Sequence, residues 1–150
     1  MFRLDAPSED VETVRTWFAE WGACVARQDY AAARAHFDES VIGFGTWMDM
    51  MDGLDRLETE QWRSIWGNIS AFHHDTDTLR AGISPDRLMA FGVLIWTSTG
   101  YHQDGTSYDR PGRTTAVLVR DRIDAPWRAI HTHVSLFRGV PQKSYGAPTH

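Results

Sequence analysis

Two histidines near the end of the chain have the spacing of a paired chemical site. His131 and His133 lie within residues 127–137, a stretch rich in Ile, Val, Thr and Phe and therefore typical of a β-strand. Alternate side chains of a strand point to the same face, so both rings belong to one face. Histidine titrates near neutral pH, and a neighbouring pair can transfer protons or bind a metal ion. Arg113, in the preceding predicted strand, could stabilise developing negative charge beside them.

The histidine face has two interpretations. In the first, His131, His133 and Arg113 are catalytic in a cofactor-free lyase, isomerase or hydrolase reaction, with histidine as the general acid or base. In the second, this face is the seam of a dimer, and the alternate residues on the opposite face form a pocket wall, namely Ile130, Thr132, Val134 and Leu136. A metal would need a third ligand, and no spacing selects one from His73, His74, Asp75, Asp77 and His102. We therefore predict neither a metal nor a cofactor.

The chain is also rich in aromatic residues, with seven Trp and seven Phe in 150 residues. Tryptophan is seldom buried without a partner for its N–H group, so a set of indoles indicates either a bulky core or an aromatic-lined pocket. We predict a pocket for a small apolar or aromatic molecule. Its predicted lining is Trp17, Trp21, Phe44, Trp47, Trp62, Trp66, Thr132 and Val134.

Composition argues against several classes of function. A formal charge of −5 without any cluster of lysine or arginine disfavours binding to a nucleic acid backbone. Cys24 is the only cysteine, which excludes an intrachain disulfide and a multi-cysteine zinc site. No apolar run approaches the roughly 18 residues of a membrane span, and the first ten residues lack the apolar stretch of a secretory signal. We therefore expect a cytoplasmic protein that binds neither nucleic acid nor membrane.

The predicted elements are three helices followed by a run of strands. Apolar residues at a 3-4-3-4 spacing from Val11 to Val25 predict a long first helix that begins at Ser8. Asp29 is the predicted cap of a second helix over residues 30–37. A strand over residues 41–47 and a third helix over residues 54–69 follow. The remaining strands form an antiparallel meander, at residues 72–81, 88–102, 112–120 and 127–137.

The length fits one domain over residues 1–138, followed by a partly ordered tail over residues 139–150. Residues 88–96 are apolar at consecutive positions, which indicates a strand covered on both faces. Helices on one side of an antiparallel sheet cannot cover both. We therefore predict a homodimer in which a second copy of the chain covers the outer face of the sheet.

Several short motifs in this order carry a resemblance to a known family. They are Gly53 before the third helix, Gly112-Arg113-Thr114-Thr115, Trp127 and His131-Thr132-His133-Val134-Ser135. Over roughly residues 11–137 the chain resembles the SnoaL-like proteins of the nuclear-transport-factor-two superfamily and the association domain of the calcium/calmodulin-dependent kinase. The resemblance implies an α+β cone, in which a curved antiparallel sheet wraps around a long N-terminal helix and dimerises. It also implies a pocket between the concave face of the sheet and the helices.

The fold implied by this resemblance serves ketosteroid isomerases, polyketide cyclases, dehydratases and non-catalytic assembly domains, so it does not decide the function. The isomerase pattern has a tyrosine on the first helix and a carboxylate base near the first strand. Residues 9–28 contain no tyrosine and residues 41–47 contain no acid, which argues against that reaction. We predict a small-molecule-binding domain with an aromatic-lined pocket. The alternatives are a cofactor-independent isomerase, dehydratase or cyclase-like enzyme, and a structural homodimerisation module.

Overall fold

A long helix and a curved sheet make up most of the chain. The computed structural model describes residues 8–149. The helices are α1 (Ser8–Arg27), α2 (Tyr30–Arg34) and α3, which is the helical segment of residues 54–68. The strands are β1 (Phe37–Phe44), β2 (Met51–Asp52), β3 (Ser70–Ile83), β4 (Met89–Tyr101), β5 (Ser107–Asp109), β6 (Gly112–Val119) and β7 (Arg128–Leu136).

The strands form one mixed sheet in the order β2-β1-β7-β6-β4-β3, with β5 paired to β4. The pairs β3–β4, β4–β6 and β6–β7 are antiparallel, which confirms the predicted meander. In contrast, β1 pairs with β7 in parallel, so the curved sheet that we predicted as antiparallel is mixed at this one pair of strands. A hydrophobic pattern indicates which residues are buried, but it does not indicate the direction of a strand. No short turn joins β1 to β7, so the connection does not require them to be antiparallel. The cone architecture itself is as predicted.

A β-bulge interrupts the side-chain alternation of β7. The pairing with β6 shifts by one residue between Val117 and Leu118, so Ile130 is an extra residue on the β7 side. On either side of it, Ala129 and Thr132 are buried, at 0% and 1% exposed. The strict alternation predicted from Ile130 onwards therefore begins only after the bulge.

The apolar stripe of α1 forms much of the core. Its residues Val14, Phe18, Trp21 and Val25 are all buried, because their spacing places them on one face of the helix. This face packs against β3. Of the helices among residues 8–149, none is both long and apolar enough to cross a membrane.

The second helix is shorter than predicted. Asp29 caps it as expected, since its carboxylate accepts a hydrogen bond from the backbone N–H of Ala32 at 3.1 Å. The helix nevertheless ends at Arg34, and Phe37, the predicted last helical residue, begins β1. The backbone N–H of Ala129 donates to the carbonyl of His36 at 3.0 Å, so the chain already joins the sheet there.

The helical segment α3 departs from regular α geometry. It consists of an α turn at Leu54–Arg56, a π turn at Leu57–Trp62, an α turn at Arg63–Ile65 and a 3-10 turn at Trp66–Asn68. Gln61 lies in the π turn, and its Oε1 accepts hydrogen bonds from the backbone N–H groups of Trp47 (3.1 Å) and Met48 (2.8 Å). These bonds hold the loop after Phe44, so Trp47 lies outside the strand in which we predicted it. π turns are rare in proteins, and those that occur are often found at functional sites.

The segment after β7 is fixed to the rest of the fold by several hydrogen bonds, among them those of Ser144 and Tyr145. The buried hydroxyl of Ser144 accepts a hydrogen bond from the backbone N–H of Tyr101 at 3.0 Å and donates to the carbonyl of Asn68. The N–H of Tyr145 donates to the carbonyl of Tyr101 at 2.9 Å. The predicted tail over residues 139–150 therefore contains ordered contacts, and its last residue lies outside the described range.

One buried carboxylate fixes the N-terminal end of α1 to the sheet. Asp10 is 2% exposed and accepts hydrogen bonds from Arg87 (2.6 and 2.9 Å) and from Arg120 (2.9 Å). Arg87 lies in the β3–β4 turn and Arg120 directly follows β6. The guanidinium of Arg120 lies 4.0 Å from the centre of the Trp127 ring. The hydrogen bond from Arg87, with a further contribution from Arg120, holds the pKa of Asp10 below its usual value, although burial acts in the opposite direction.

We predict that Asp10→Asn lowers the free energy of unfolding by about 3 kcal/mol, because it leaves the buried Arg120 without a counter-charge. Urea unfolding at pH 7 measures this change. Glu9→Gln is the matched control: Glu9 also binds Arg87, at 2.7 Å, but its side chain is 72% exposed. The control should change stability by less than about 1 kcal/mol. Equal losses in the two variants would contradict the role given to Asp10.

Candidate ligand-binding site

A cavity lies between α1, α3 and the inner face of the sheet. Its volume is about 40 Å³, and a single water needs roughly 10–15 Å³. The aromatic residues of its wall are Trp21, Trp62, Trp66, Phe72 and Trp96, together with Phe44, whose ring packs against His131 and His133. Its polar part consists of Thr46, Gln61, His74, Arg110, Thr114 and Thr132. An apolar enclosure with a few converging polar groups is the usual form of a small-molecule site.

The residues that carry the unpaired polar atoms of the interior all line this cavity. Within residues 8–149, the buried side-chain nitrogen and oxygen atoms without a hydrogen-bond partner are Trp21 Nε1, His74 Nε2, Trp96 Nε1, Arg110 Nε and Thr114 Oγ1. Each of the five belongs to a residue that lines the cavity. Such atoms are rare in folded proteins, since each costs about 1–3 kcal/mol. Their common location makes this cavity the candidate site.

His74 presents a hydrogen-bond acceptor to the site. Its Nδ1 lies 2.8 Å from the carbonyl oxygen of Phe18. A carbonyl only accepts, so Nδ1 carries the ring proton and the unpaired Nε2 has a free lone pair. Burial lowers the pKa of His74 to about 4, against a smaller opposing effect of the Phe18 hydrogen bond, so the ring is neutral at physiological pH. The ring is also 5.1 Å from that of Trp21, centre to centre.

A glycine on α1 makes room for this ring. A Cβ atom on Gly22 would lie 2.8 Å from Nδ1 of His74, which is closer than such contacts allow. Glycine within a helix costs about 1 kcal/mol relative to alanine. Gly22 therefore makes α1 less stable at the position where the His74 ring packs against the helix.

Arg110 brings a buried positive charge to the same wall. It is 1% exposed, and no carboxylate of the described residues forms an ion pair with it. Within residues 8–149 its terminal nitrogens donate only two long hydrogen bonds, to the hydroxyls of Ser98 and Thr46, both at 3.4 Å. Burial lowers the pKa of Arg110 to about 10, so the guanidinium remains charged at neutral pH. A buried charge with no partner of opposite sign is costly and therefore unusual.

Trp96 lies beside both of these groups. It is the residue opposite His74 in the β3–β4 pairing, and the Arg110 guanidinium lies 5.3 Å from its ring centre. Its ring fits there because Gly112 has no side chain: a Cβ atom on Gly112 would overlap the indole. The acceptor of His74 and the cation of Arg110 are thus neighbours of one indole.

Gln61 and Thr46 hold one side of the site. The side-chain N–H of Gln61 donates to the Thr46 hydroxyl at 3.0 Å, and this hydroxyl accepts the long hydrogen bond from Arg110. Gln61 also fixes the loop after β1 through its oxygen. The π turn of α3 is therefore linked, through two polar side chains, to the buried guanidinium.

Most of the predicted pocket residues lie around the cavity. Trp21, Phe44, Trp62, Trp66, Thr132 and Val134 line it. Trp17 does not line it: this residue lies one turn before Trp21 on α1, and its Nε1–H donates to the carbonyl of His36 at 3.0 Å. Trp47 is 40% exposed and lies in a separate recess beside Ile65 and Ser144.

The predicted catalytic residues lie on the other face of the sheet. His133 and Arg113 are exposed, and His131 is half-buried, with its Nδ1 2.7 Å from the carbonyl oxygen of Ile42. Both imidazoles pack edge-on against Phe44, at 5.2 and 5.1 Å between ring centres. Arg113 donates to the Ser135 hydroxyl at 3.1 Å. None of the three lines the cavity, and their catalytic role stays a prediction.

Arg110 and Trp96 are absent from the predicted pocket. The signal for Arg110 is parity: Gly112, Thr114, Ala116 and Leu118 are the inward residues of β6, and Arg110 continues this series backwards. A charged residue is ordinarily expected outside, so the series alone does not reveal it. Trp96 is the last residue of the continuous apolar run of β4. Because this run does not alternate between apolar and polar residues, it does not indicate which side chains face the cavity. Among the described residues, no group of three metal-binding side chains is close enough to hold an ion.

We predict that the neutral state of His74 makes stability depend on pH. The unfolded histidine binds a proton below its ordinary pKa of 6.5, whereas the folded one does so only below about 4. Stability should therefore fall as pH falls through this interval, by about 2–3 kcal/mol between pH 7 and pH 4.5. Urea unfolding at both pH values should show that His74→Asn removes most of this loss. His73→Asn, at the neighbouring exposed position, should keep it; identical pH slopes in the two variants would contradict the assignment.

The comparisons with known proteins agree with this architecture. Residues 14–139 match the SnoaL-like domain family. No curated protein matches the sequence closely enough to count as a relative. Among solved structures, the chain is similar to a ketosteroid isomerase-like protein from Erwinia carotovora atroseptica SCRI1043, with a TM-score of 0.70, 13% identity, and coverage of 87% of this chain and 98% of that one.

Two further structures have the same fold. One is a provisionally assigned dehydratase of the NTF2-like family from Streptomyces avermitilis, with a TM-score of 0.69, 15% identity, and coverage of 89% of this chain and 100% of that one. The other is a provisionally assigned calcium/calmodulin-dependent protein kinase II association domain from Xanthomonas campestris, with a TM-score of 0.64, 16% identity, and coverage of 93% and 94%. Identities this low establish the fold alone. Because the family match spans nearly the whole cone, from α1 to the end of β7, the chain belongs to the SnoaL-like family.

Proposed function

We propose that this chain binds a small aromatic carboxylate in the cavity between α1, α3 and the sheet. The observation that supports this proposal is that the five unpaired buried polar atoms all belong to residues that line one cavity. One of them belongs to Arg110, a buried cation without a carboxylate partner. A ligand that brings the missing negative charge satisfies the most costly of the five.

The chemistry of the donors favours a carboxylate over a neutral group. Arg110 presents Nε–H, and Trp21 and Trp96 each present an indole N–H, without an acceptor. A carboxylate has two oxygens with about four lone-pair positions, so it can accept from several of these donors at once. Hydrogen bonds that involve a charged group are about twice as strong as neutral ones.

The rest of the wall favours a ring. Trp62 and Trp66 are stacked at 4.8 Å with an interplanar angle of 22°, and both line the cavity. Phe72 packs 5.3 Å from Trp96 on the opposite wall. Aromatic walls make offset or edge-on contacts with a planar ligand and exclude water from its charged end.

A ring with a carboxylate is larger than the cavity, so we expect part of the wall to move outward when it binds. The sheet is held by continuous ladders, whereas α3 changes helical geometry three times within residues 54–68. The π turn that carries Gln61 and Trp62 is the less regular wall. The proposal therefore assigns the movement to α3 and the loop that Gln61 holds.

Calorimetric titration with benzoate tests the proposal, with benzyl alcohol as the matched uncharged probe. Benzoate should bind and benzyl alcohol should bind far more weakly. Arg110→Met should weaken benzoate binding by about 30- to 150-fold, because a charge-assisted hydrogen bond in a buried site contributes about 2–3 kcal/mol. The same substitution should leave the free energy of unfolding unchanged or raise it by about 1 kcal/mol, because it removes an unpaired buried charge.

Arg122→Met is the control, because the side chain of Arg122 is 70% exposed in the β6–β7 turn; it should leave benzoate binding unchanged. Arg113→Met tests the alternative site on the outer face. Loss of benzoate binding in Arg113→Met, with normal binding in Arg110→Met, would overturn the cavity assignment in favour of the histidine face.

We also propose that the outer face of the sheet joins two copies of the chain. Ile42 on β1 and Ile95 on β4 point outward and are 38% and 37% exposed, beside the half-buried Val93 and Val117. The face also carries His131, which pairs with Ile42 and Val117, and Arg113, which pairs with Ile95. Exposed apolar residues gathered on one sheet face and bordered by polar ones are typical of an interface between subunits.

Ile95→Glu should convert the dimer to a monomer in sedimentation velocity while benzoate binding persists, because the charge would be buried in the seam. The matched control is Ile123→Glu: Ile123 is 48% exposed but lies in the β6–β7 turn, away from this face. A monomeric wild type, or a dimer unaffected by Ile95→Glu, would refute the proposed seam.

A further inference from the structure

We infer that the ligand carries a hydroxyl group on its ring in addition to the carboxylate, and that this hydroxyl donates a hydrogen bond to Nε2 of His74. This inference rests on the proposed function and specifies the substrate class of the same cavity. The ligand class is thus a hydroxylated aromatic carboxylate.

The unpaired atoms of the cavity differ in polarity, and this difference defines the ligand. Trp21 Nε1, Trp96 Nε1 and Arg110 Nε are donors only. The hydroxyl of Thr114 can donate or accept. Nε2 of His74 is the one atom of the five that can only accept, because the proton of the ring is on Nδ1. A bare carboxylate satisfies the donors and leaves this acceptor unpaired.

The acceptor state of His74 is fixed by its surroundings. Nδ1 is held 2.8 Å from the Phe18 carbonyl, which requires the proton on that nitrogen. His74 is 3% exposed, and burial disfavours a second proton on the ring. Gly22 admits the ring to this position on α1. A ligand cannot change the tautomer without breaking the Phe18 hydrogen bond.

One small ligand can reach both the cation and the acceptor. Trp96 is the cross-strand neighbour of His74, and its ring lies 5.3 Å from the guanidinium of Arg110. Phe72 packs 4.9 Å from His74 and 5.3 Å from Trp96. A planar ring against Phe72 and Trp96 therefore directs one substituent toward Arg110 and another toward His74.

The experiment compares hydroxybenzoates with methylbenzoates, since hydroxyl and methyl groups are similar in size but only the hydroxyl donates. Calorimetry at pH 7 measures the dissociation constants of the 3- and 4-isomers of each acid. For the isomer whose hydroxyl reaches His74, the hydroxy acid should bind about tenfold more tightly than the methyl acid, because otherwise Nε2 is buried without a donor.

His74→Asn is the decisive variant. The asparagine amide can still donate to the Phe18 carbonyl, but no acceptor remains at the position of Nε2. The hydroxyl preference should fall to less than about twofold, while dependence on Arg110 persists. A comparison within the wild type needs no variant: 3- or 4-aminobenzoate, which donates, should also bind more tightly than the matching fluorobenzoate, which does not.

Equal binding of hydroxy and methyl acids by the wild type would overturn the inference, as would a hydroxyl preference that persists in His74→Asn. In either case the proposed function stands if benzoate binding still requires Arg110. Failure of every acid to bind would instead refute the proposed function, leaving waters as the partners of the five atoms.

Discussion

The buried ion cluster of Asp10 is the constraint on which the arrangement of helix and sheet depends. The sheet curves around α1, but apolar contacts alone allow a helix to slide along its axis, since they are not directional. The carboxylate of Asp10 meets one arginine from the β3–β4 turn and another from the end of β6, so it fixes the helix in both position and rotation. The placement of Trp21 and of Gly22, which shape the cavity further along α1, follows from this attachment.

The two arginines that flank β6 show how one residue type serves two purposes in this fold. Arg120 and Arg110 are both almost fully buried, at 5% and 1% exposed, and each lies against an indole. Arg120 is neutralised by Asp10 within the chain. Arg110 has no such partner and reaches only hydroxyl groups. Stability alone does not explain the second arrangement, because an apolar residue would cost less there. This contrast is the physical basis for assigning Arg120 to the architecture and Arg110 to binding.

The cone fold and much of the cavity could be predicted from the sequence, whereas its charged centre could not. Periodicity is a local property, so the stripe of α1 and the strands of the meander follow from the residues themselves. The parallel partner of β1 and the bulge at Ile130 depend on contacts between distant segments, which no local pattern records. Trp62 and Trp66 line the cavity because both lie on one face of α3. Arg110 was not predicted, because inward positions of a strand are recognised by their apolar residues and an unpaired charge is ordinarily expected outside.

The contact between Gly22 and His74 ties together two positions that are far apart in the chain. The imidazole of His74 fills the space that a side chain at position 22 would need. A larger residue at position 22 therefore requires a smaller one at position 74. In homologous sequences these positions should therefore covary, with glycine retained wherever the histidine is present and lost where a smaller side chain replaces it. The residue at position 22 of α1 would then indicate, in any member of the SnoaL-like family, whether a histidine ring lines the cavity at the position of His74.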